Sequence, residues 1–275
     1  MWTLSGFADE IAADAGVQCE TLNSLGIGHL EFRSAWETNV LDLDDDRLEA
    51  AGEILAAHHI QTSCVGSPIG KIAITDDFEP HLVRFERALH VARVLHAPYI
   101  RLFSFFIPAG QEPGRYRDEV LTRMAGFVAA ARGHDVLLLH ENEKNIYGDI
   151  PQRCLDIVES VGSAQLRLIW DAANFVQCGV RPFTDGYADL RPYVDYLHIK
   201  DAVMATGAVV PAGEGDGELS ATLRALKGDG FDGFFSMEPH LASAATMGGF
   251  SGVDLFTRAT HAFTRLLDDQ GVAYR

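Results

Sequence analysis

Positive charge is scarce in this sequence. Lys and Arg number 22 against 39 Asp and Glu, a formal net charge of −17 over 275 residues. A field of that sign repels phosphate backbones and anionic lipid, which argues against nucleic acid and membrane surfaces as partners. Cysteine is scarce too: Cys19, Cys64, Cys154 and Cys178 are scattered and form no C-x-x-C pair. That pattern speaks against a disulfide framework or a zinc ribbon and for reduced thiols in a cytoplasm. No apolar run approaches the roughly 18 residues of a membrane helix. The opening MWTLSGFADEI has neither the basic nor the apolar region of a secretory signal. No G-x-G-x-x-G follows the first β-rich run and no GK[ST] closes a glycine loop, so the dinucleotide and P-loop signatures are missing. With no linker or low-complexity stretch, residues 1–275 read as one domain.

What is present is an alternation. Hydrophobic residues make up 47% of the chain, enough to bury a large core. Short apolar runs at 3–7, 29–33, 61–65, 99–103, 136–140, 166–171, 193–200 and 233–238 read as strands. Segments of helical period lie between them at 47–58, 78–95, 116–131, 151–161, 219–227 and 253–267. The connection between the sixth and seventh runs looks short and only weakly helical. Eight such units of roughly 34 residues, with continuous apolar strands joined by crossover helices, describe a single (β/α)8 TIM barrel in the α/β class.

Barrels of this kind carry their chemistry at the C-terminal ends of the strands. The fifth run, VLLLHEN, ends in Glu141, and the sixth, LRLIWDAAN, in Asp171. The seventh, VDYLHIKD, ends in His198, Lys200 and Asp201, and the eighth, GFFSMEPH, in Glu238 and His240. Glu141, Asp171, His198 and Glu238 follow one another at 30, 27 and 40 residues, each close to one unit, so four consecutive strands can aim them at one point. Three carboxylates gathered together repel unless a cation or protons neutralise them. With one imidazole added, the set suits a single hard or borderline divalent ion: Mn²⁺ first, with Mg²⁺, Co²⁺ or Zn²⁺ as alternatives.

The segments HENEKNIYGDIPQRCLDI, WDAANFVQCG, HIKD, VPAGEGDGEL and SMEPHL together resemble the sugar phosphate isomerase/epimerase family. This is the xylose isomerase-like barrel group that also holds ketose 3-epimerases, inosose dehydratases and endonuclease IV. The early EFRSAWETNVLDLDDDRL is similar to its sugar-directed branch. The resemblance spans nearly the whole chain. It implies a metal on Glu141, Asp171, His198 and Glu238, with Glu141 and Glu238 as an acid/base pair working through a metal-stabilised enediolate. It implies an isomerase or epimerase of a small sugar, polyol or sugar phosphate. The alternative is a dehydratase of an inosose- or dehydroshikimate-like keto-polyol, which shares the first proton abstraction. A homodimer or homotetramer is the family habit.

Two positions depart from the 3-epimerases of the group. Asn174 stands where they carry a His three residues after the metal Asp, and AVMATG lacks the Arg that follows their metal His. Lys200 is a candidate for the missing cation. Further candidates for substrate contact are Arg101, with Glu31 and Arg33 beside it at the mouth, and His240. Glu214 in the glycine-rich PAGEGDGEL and Trp36 as an apolar wall complete the set. His140 alternates with Glu141 and is expected to point away from the centre.

Overall fold

This computed structural model describes residues 1–242 and 249–275. Among them, eight parallel strands form one sheet: β1 (Thr3–Gly6), β2 (His29–Phe32), β3 (Gln61–Val65), β4 (Tyr99–Leu102), β5 (Leu137–Glu141), β6 (Leu166–Asp171), β7 (Val194–Ile199) and β8 (Phe234–Met237). The sheet order is β1-β8-β7-β6-β5-β4-β3-β2. β1 and β2 lie side by side, so the sheet curls into a nearly closed barrel. The eight apolar runs all become strands, with bounds shifted by a residue or two.

Around the barrel lie α1 (Ala15–Ser24), α2 (Asp45–Ala57), α3 (Glu79–Val94), α4 (Arg117–Ala130), α5 (Pro151–Val161), α6 (Ala172–Gln177), α7 (Pro182–Leu190), α8 (Leu219–Gly228) and α9 (Gly252–Asp269). Their starts and stops have local causes. Asp44 caps α2 by accepting from Arg47 N at 2.8 Å, with Asp45 and Asp46 in the first turn against the helix dipole. α5 opens on Pro151 and ends at Gly162 in the left-handed region (φ 60°). α9 buries Phe256, Ala259, Phe263 and Leu267 on one face. No helix among the described residues is long and apolar enough to cross a membrane.

The helix count corrects the sequence reading in two places. α1 shows little helical period, because AGVQCETLNS is small and polar; what starts it is Asp14, accepting from Val17 N at 3.0 Å. The connection between β6 and β7, expected to be weakly helical, is two helices. Asp171 caps α6 through Asn174 N at 2.9 Å, and Pro182 opens α7. Each is too short for a periodic pattern to show.

The lumen is layered. Cys64, Leu139, Ile169 and Tyr196 form an apolar plug separate from the main core. Two residues further along three of these strands stand Glu141, Asp171 and His198. Period-two alternation puts them on the same inward face, one layer nearer the strand ends. The register pairs Asp171 with His198 across β6 and β7.

Candidate metal centre and substrate cavity

Glu141 closes β5, Asp171 closes β6, His198 is the penultimate residue of β7, and Glu238 directly follows β8. All four are buried, and one donor atom from each lies within 4.8 Å of the others. His198 Nδ1 faces Glu141 Oε1 at 3.2 Å, Glu238 Oε2 at 3.5 Å and Asp171 Oδ2 at 3.8 Å. From behind, Glu31 meets His198 Nε2 at 3.1 Å, which fixes the ring and leaves Nδ1 for the centre.

Each carboxylate splits its oxygens between wall and centre. Glu141 Oε2 accepts from Arg101 Nη1 at 3.1 Å, Asp171 Oδ1 caps α6, and Glu238 Oε1 accepts from Arg33 Nη1 at 3.2 Å. The other three oxygens face His198 Nδ1. Asn174 Nδ2 donates to Glu141 Oε1 at 3.1 Å. Lys200 Nζ lies 2.8 Å from Asp171 Oδ2 and 2.5 Å from Glu238 Oε2.

Charge sets the protonation. Burial, with Glu141 and Glu238 nearby, pushes Asp171 up to about 6. Burial also works to raise Glu141, but His198 and Arg101 outweigh it and hold that carboxyl at about 2. Glu238 stays well below the carboxylate range because Lys200 and His240 overcome its burial. His198 is pushed up to about 10: burial opposes its charge, and Glu141, Glu31 and Glu238 prevail.

The donor set fits a divalent cation. It offers three hard oxygens and one imidazole nitrogen, with no thiolate. His198 Nδ1 and Asp171 Oδ2 are buried without a hydrogen-bond partner among the described residues, the Lys200 ammonium approaching Asp171 outside hydrogen-bond geometry. Buried polar atoms left unpaired in this way call for a partner.

Above the centre opens a cavity of about 280 Å³ walled by Glu141, Glu238 and His240, and by five of the chain's few cations: Arg33, Lys71, Arg101, Lys144 and Lys200. Lys71 pairs with Glu143 at 3.2 Å, while Lys144 Nζ donates to Gln177 Oε1 at 3.0 Å. A larger groove of about 850 Å³, lined by Pro98, Val136 and Gln165, lies at the opposite end of the barrel, away from the metal-ligand grouping.

A family model described as "Xylose isomerase-like TIM barrel" matches residues 19–250. The chain belongs to that family. A 2-epi-5-epi-valiolone 7-phosphate 2-epimerase from Actinoplanes sp. is 36% identical over 113 residues, 41% of this chain and 39% of that protein. A probable L-ribulose-5-phosphate 3-epimerase UlaE from Mycoplasma pneumoniae is 25% identical over 145 residues, 53% of this chain and 47% of that protein. The match thus spans less than half the length of either relative. Among solved structures, IOLI with a binding zinc atom superposes with a TM-score of 0.78 at 15% identity, covering 97% of this chain and 98% of that one. The probable 3-DHS dehydratase AsbF from Bacillus anthracis gives 0.74 at 17%, covering 96% and 98%. At these identities the structural likeness shows the fold.

In this xylose isomerase-like barrel, Lys200, Asn174, Arg101 and His240 all reach the cavity. Lys200 pairs with Asp171 and Glu238 rather than with Asp201 or Glu214. His140 is buried and meets Ser104 Oγ at 2.9 Å, on the side away from the centre. Two expectations are corrected. Glu214 does not line the cavity; it is exposed and pairs with Arg258 at 3.2 Å. Its loop wraps an internal carboxylate instead, since Asp201 accepts from Gly213 N, Gly215 N and Gly217 N at 3.0, 3.2 and 2.7 Å. A Cβ at Gly215 or Gly217 would sit 2.6 Å from Asp201 Oδ1, so these glycines serve the loop's anchor rather than a ligand. Trp36 is half-buried beneath Arg47, whose guanidinium lies 5.3 Å from the ring, and Asn39, three residues on, faces the cavity in its place.

Sequence reasoning placed Glu31 at the mouth without seeing it as the His198 partner. Its two-residue offset from Arg33 mirrors His198 and Lys200, but the contact depends on barrel closure. Lys71 and Lys144 sit on loops and carried no signal. Glu10 also went unnoticed: it is fully buried, pushed up to about 7 by that burial, and accepts from His240 N and Ser251 Oγ, each at 2.8 Å.

Proposed function

We propose that this protein is a metal-dependent epimerase or isomerase that moves a proton at the carbon beside a carbonyl of a small phosphorylated sugar or polyol. The observation that carries the reading is the convergence of Glu141, Asp171, His198 and Glu238 beneath a cavity into which both glutamates open. Cations at the cavity support an anionic substrate: Lys144, held by the neutral Gln177, and Lys71 line it beside Arg33, Arg101 and Lys200, which buried carboxylates already match. The two relatives, a 2-epi-5-epi-valiolone 7-phosphate 2-epimerase and a probable L-ribulose-5-phosphate 3-epimerase, agree with this reading.

Mn²⁺ is the ion proposed, with Mg²⁺, Co²⁺ and Zn²⁺ compatible with the same donors. Held there, a divalent ion supplies Lewis-acid polarisation of the carbonyl. The rest is done by the chain. His198 and Arg101 keep Glu141 ionised, and Lys200 and His240 do the same for Glu238, so neither carboxylate already carries a proton. One carboxylate takes the proton and the other side of the cavity returns one. Return to the opposite face of the same carbon is epimerisation; return to the neighbouring carbon is isomerisation. Lys200, whose side chain borders the cavity, is the candidate proton source. That same ammonium favours a second reading, a dehydratase in which Lys200 protonates a departing β-hydroxyl.

The test is deuterium incorporation by NMR, with Mn²⁺-loaded protein in D₂O and a panel of ketoses, ketose phosphates, inososes and dehydroshikimate. Metal-dependent exchange next to a carbonyl is expected, strongest with a phosphorylated member. Loss of a hydroxyl would select the dehydratase. Absence of exchange across the panel would overturn proton-transfer catalysis on these substrate classes.

A further inference from the structure

Lys200 stands two residues beyond His198 on the inward face of the chain leaving β7. Its side chain is 4% exposed, and its Nζ touches Asp171 Oδ2 and Glu238 Oε2. These are the centre-facing oxygens of the two residues; the wall already holds Asp171 Oδ1 through Asn174 N and Glu238 Oε1 through Arg33. An ammonium and a divalent ion therefore compete for the same two atoms. Repulsion between two cations a few ångströms apart is strong among side chains this buried.

The Lys and Arg cations of the centre are not equally free to yield. Arg33 is gripped by Asp9 at 2.7 and 3.0 Å. Arg101 is tied to the carbonyls of Ser67 and Gly66 at 3.3 and 3.1 Å. Lys200 has no backbone acceptor among the described residues, carries its charge on a flexible four-carbon stem, and borders the cavity.

We propose that Lys200 is an exchangeable internal counter-cation: a divalent ion entering the centre displaces its ammonium from Asp171 and Glu238 into the cavity, where it donates to an oxygen of the anionic substrate. Metal loading and assembly of the substrate site then become one event, with the ion binding before the substrate. The inference rests on the metal centre proposed above and adds a competitor for it.

Mn²⁺ titration of the metal-free protein, followed by electron paramagnetic resonance, tests this without any substrate. Lys200→Met is expected to bind Mn²⁺ at least tenfold more tightly than wild type and to gain more in Tm on loading. Lys200→Gln, neutral and polar, should do the same and replaces Lys200→Met if that variant folds poorly. Wild-type binding combined with equal or weaker binding by the variants would overturn the exchange while leaving the metal centre standing. Failure of wild type and both variants to bind would overturn both.

Discussion

Leu139 and Glu141 lie two residues apart on β5, Ile169 and Asp171 on β6, and Tyr196 and His198 on β7. The first member of each pair belongs to an apolar plug, the second to a buried ionic layer. Strand, backbone pattern and inward direction are shared, so the contrast is one of side-chain chemistry alone. The plug lowers free energy by burying apolar area and filling the lumen. The ionic layer does the opposite in part. It takes Glu31, Glu141, Asp171 and Glu238 out of water and offsets the cost with Arg33, Arg101, Lys200 and His198. A charge-for-charge match of that kind is weak evidence for stability and good evidence for a site.

The largest effect should come from the ionic layer. Glu141→Gln or Glu238→Gln keeps shape but loses the base, and turnover should fall on the order of 10²- to 10⁴-fold with the fold intact. Rate measurement beside circular dichroism checks it; near-wild-type turnover in either variant would refute the acid/base pair. Glu31→Gln acts one step removed. With a weaker acceptor behind His198 Nε2, Mn²⁺ affinity should drop roughly 10- to 100-fold, as read by titration.

The plug should answer differently. Ile169→Ala is expected to lose about 2–5 kcal/mol of stability in urea denaturation while binding Mn²⁺ normally. Loss of metal without loss of stability would reverse the assignment of the two layers.

The smallest effect lies outside both layers. His81 Nε2 accepts from Gly70 N at 2.7 Å, and burial pushes its pKa down to about 4, Arg84 and Arg123 adding to the shift. The unfolded chain therefore takes a proton between its ordinary value near 6.5 and about 4 that the folded chain refuses. This contribution is complete above pH 6.5 and is lost as the pH falls through the window, on the order of 1–2 kcal/mol once solvent screening is allowed for. In His81→Gln the fall in Tm over the same interval should be shallower.

Much of the lumen was legible because strand period and strand ends are local properties. Eight apolar runs with Glu141, Asp171, His198 and Glu238 at their ends needed only alternation and unit spacing. α1 was not legible, since Asp14 starts it while its own residues carry little periodicity. Glu214 and Trp36 were misplaced for a related reason. Sequence shows that PAGEGDGEL is a glycine loop but not which carboxylate it wraps, and Asp201 is brought there by the chain reversal after β7. The Glu31–His198 contact bridges strands 167 residues apart, and only the returning curve of the sheet makes it.

Diffraction from a Mn²⁺-loaded crystal, with anomalous data, tests the metal centre most directly. One anomalous peak is expected within coordination distance of Glu141, Asp171, His198 Nδ1 and Glu238, with the Lys200 ammonium turned into the cavity. A centre without a peak, with Lys200 still bridging Asp171 and Glu238 at saturating Mn²⁺, would contradict it.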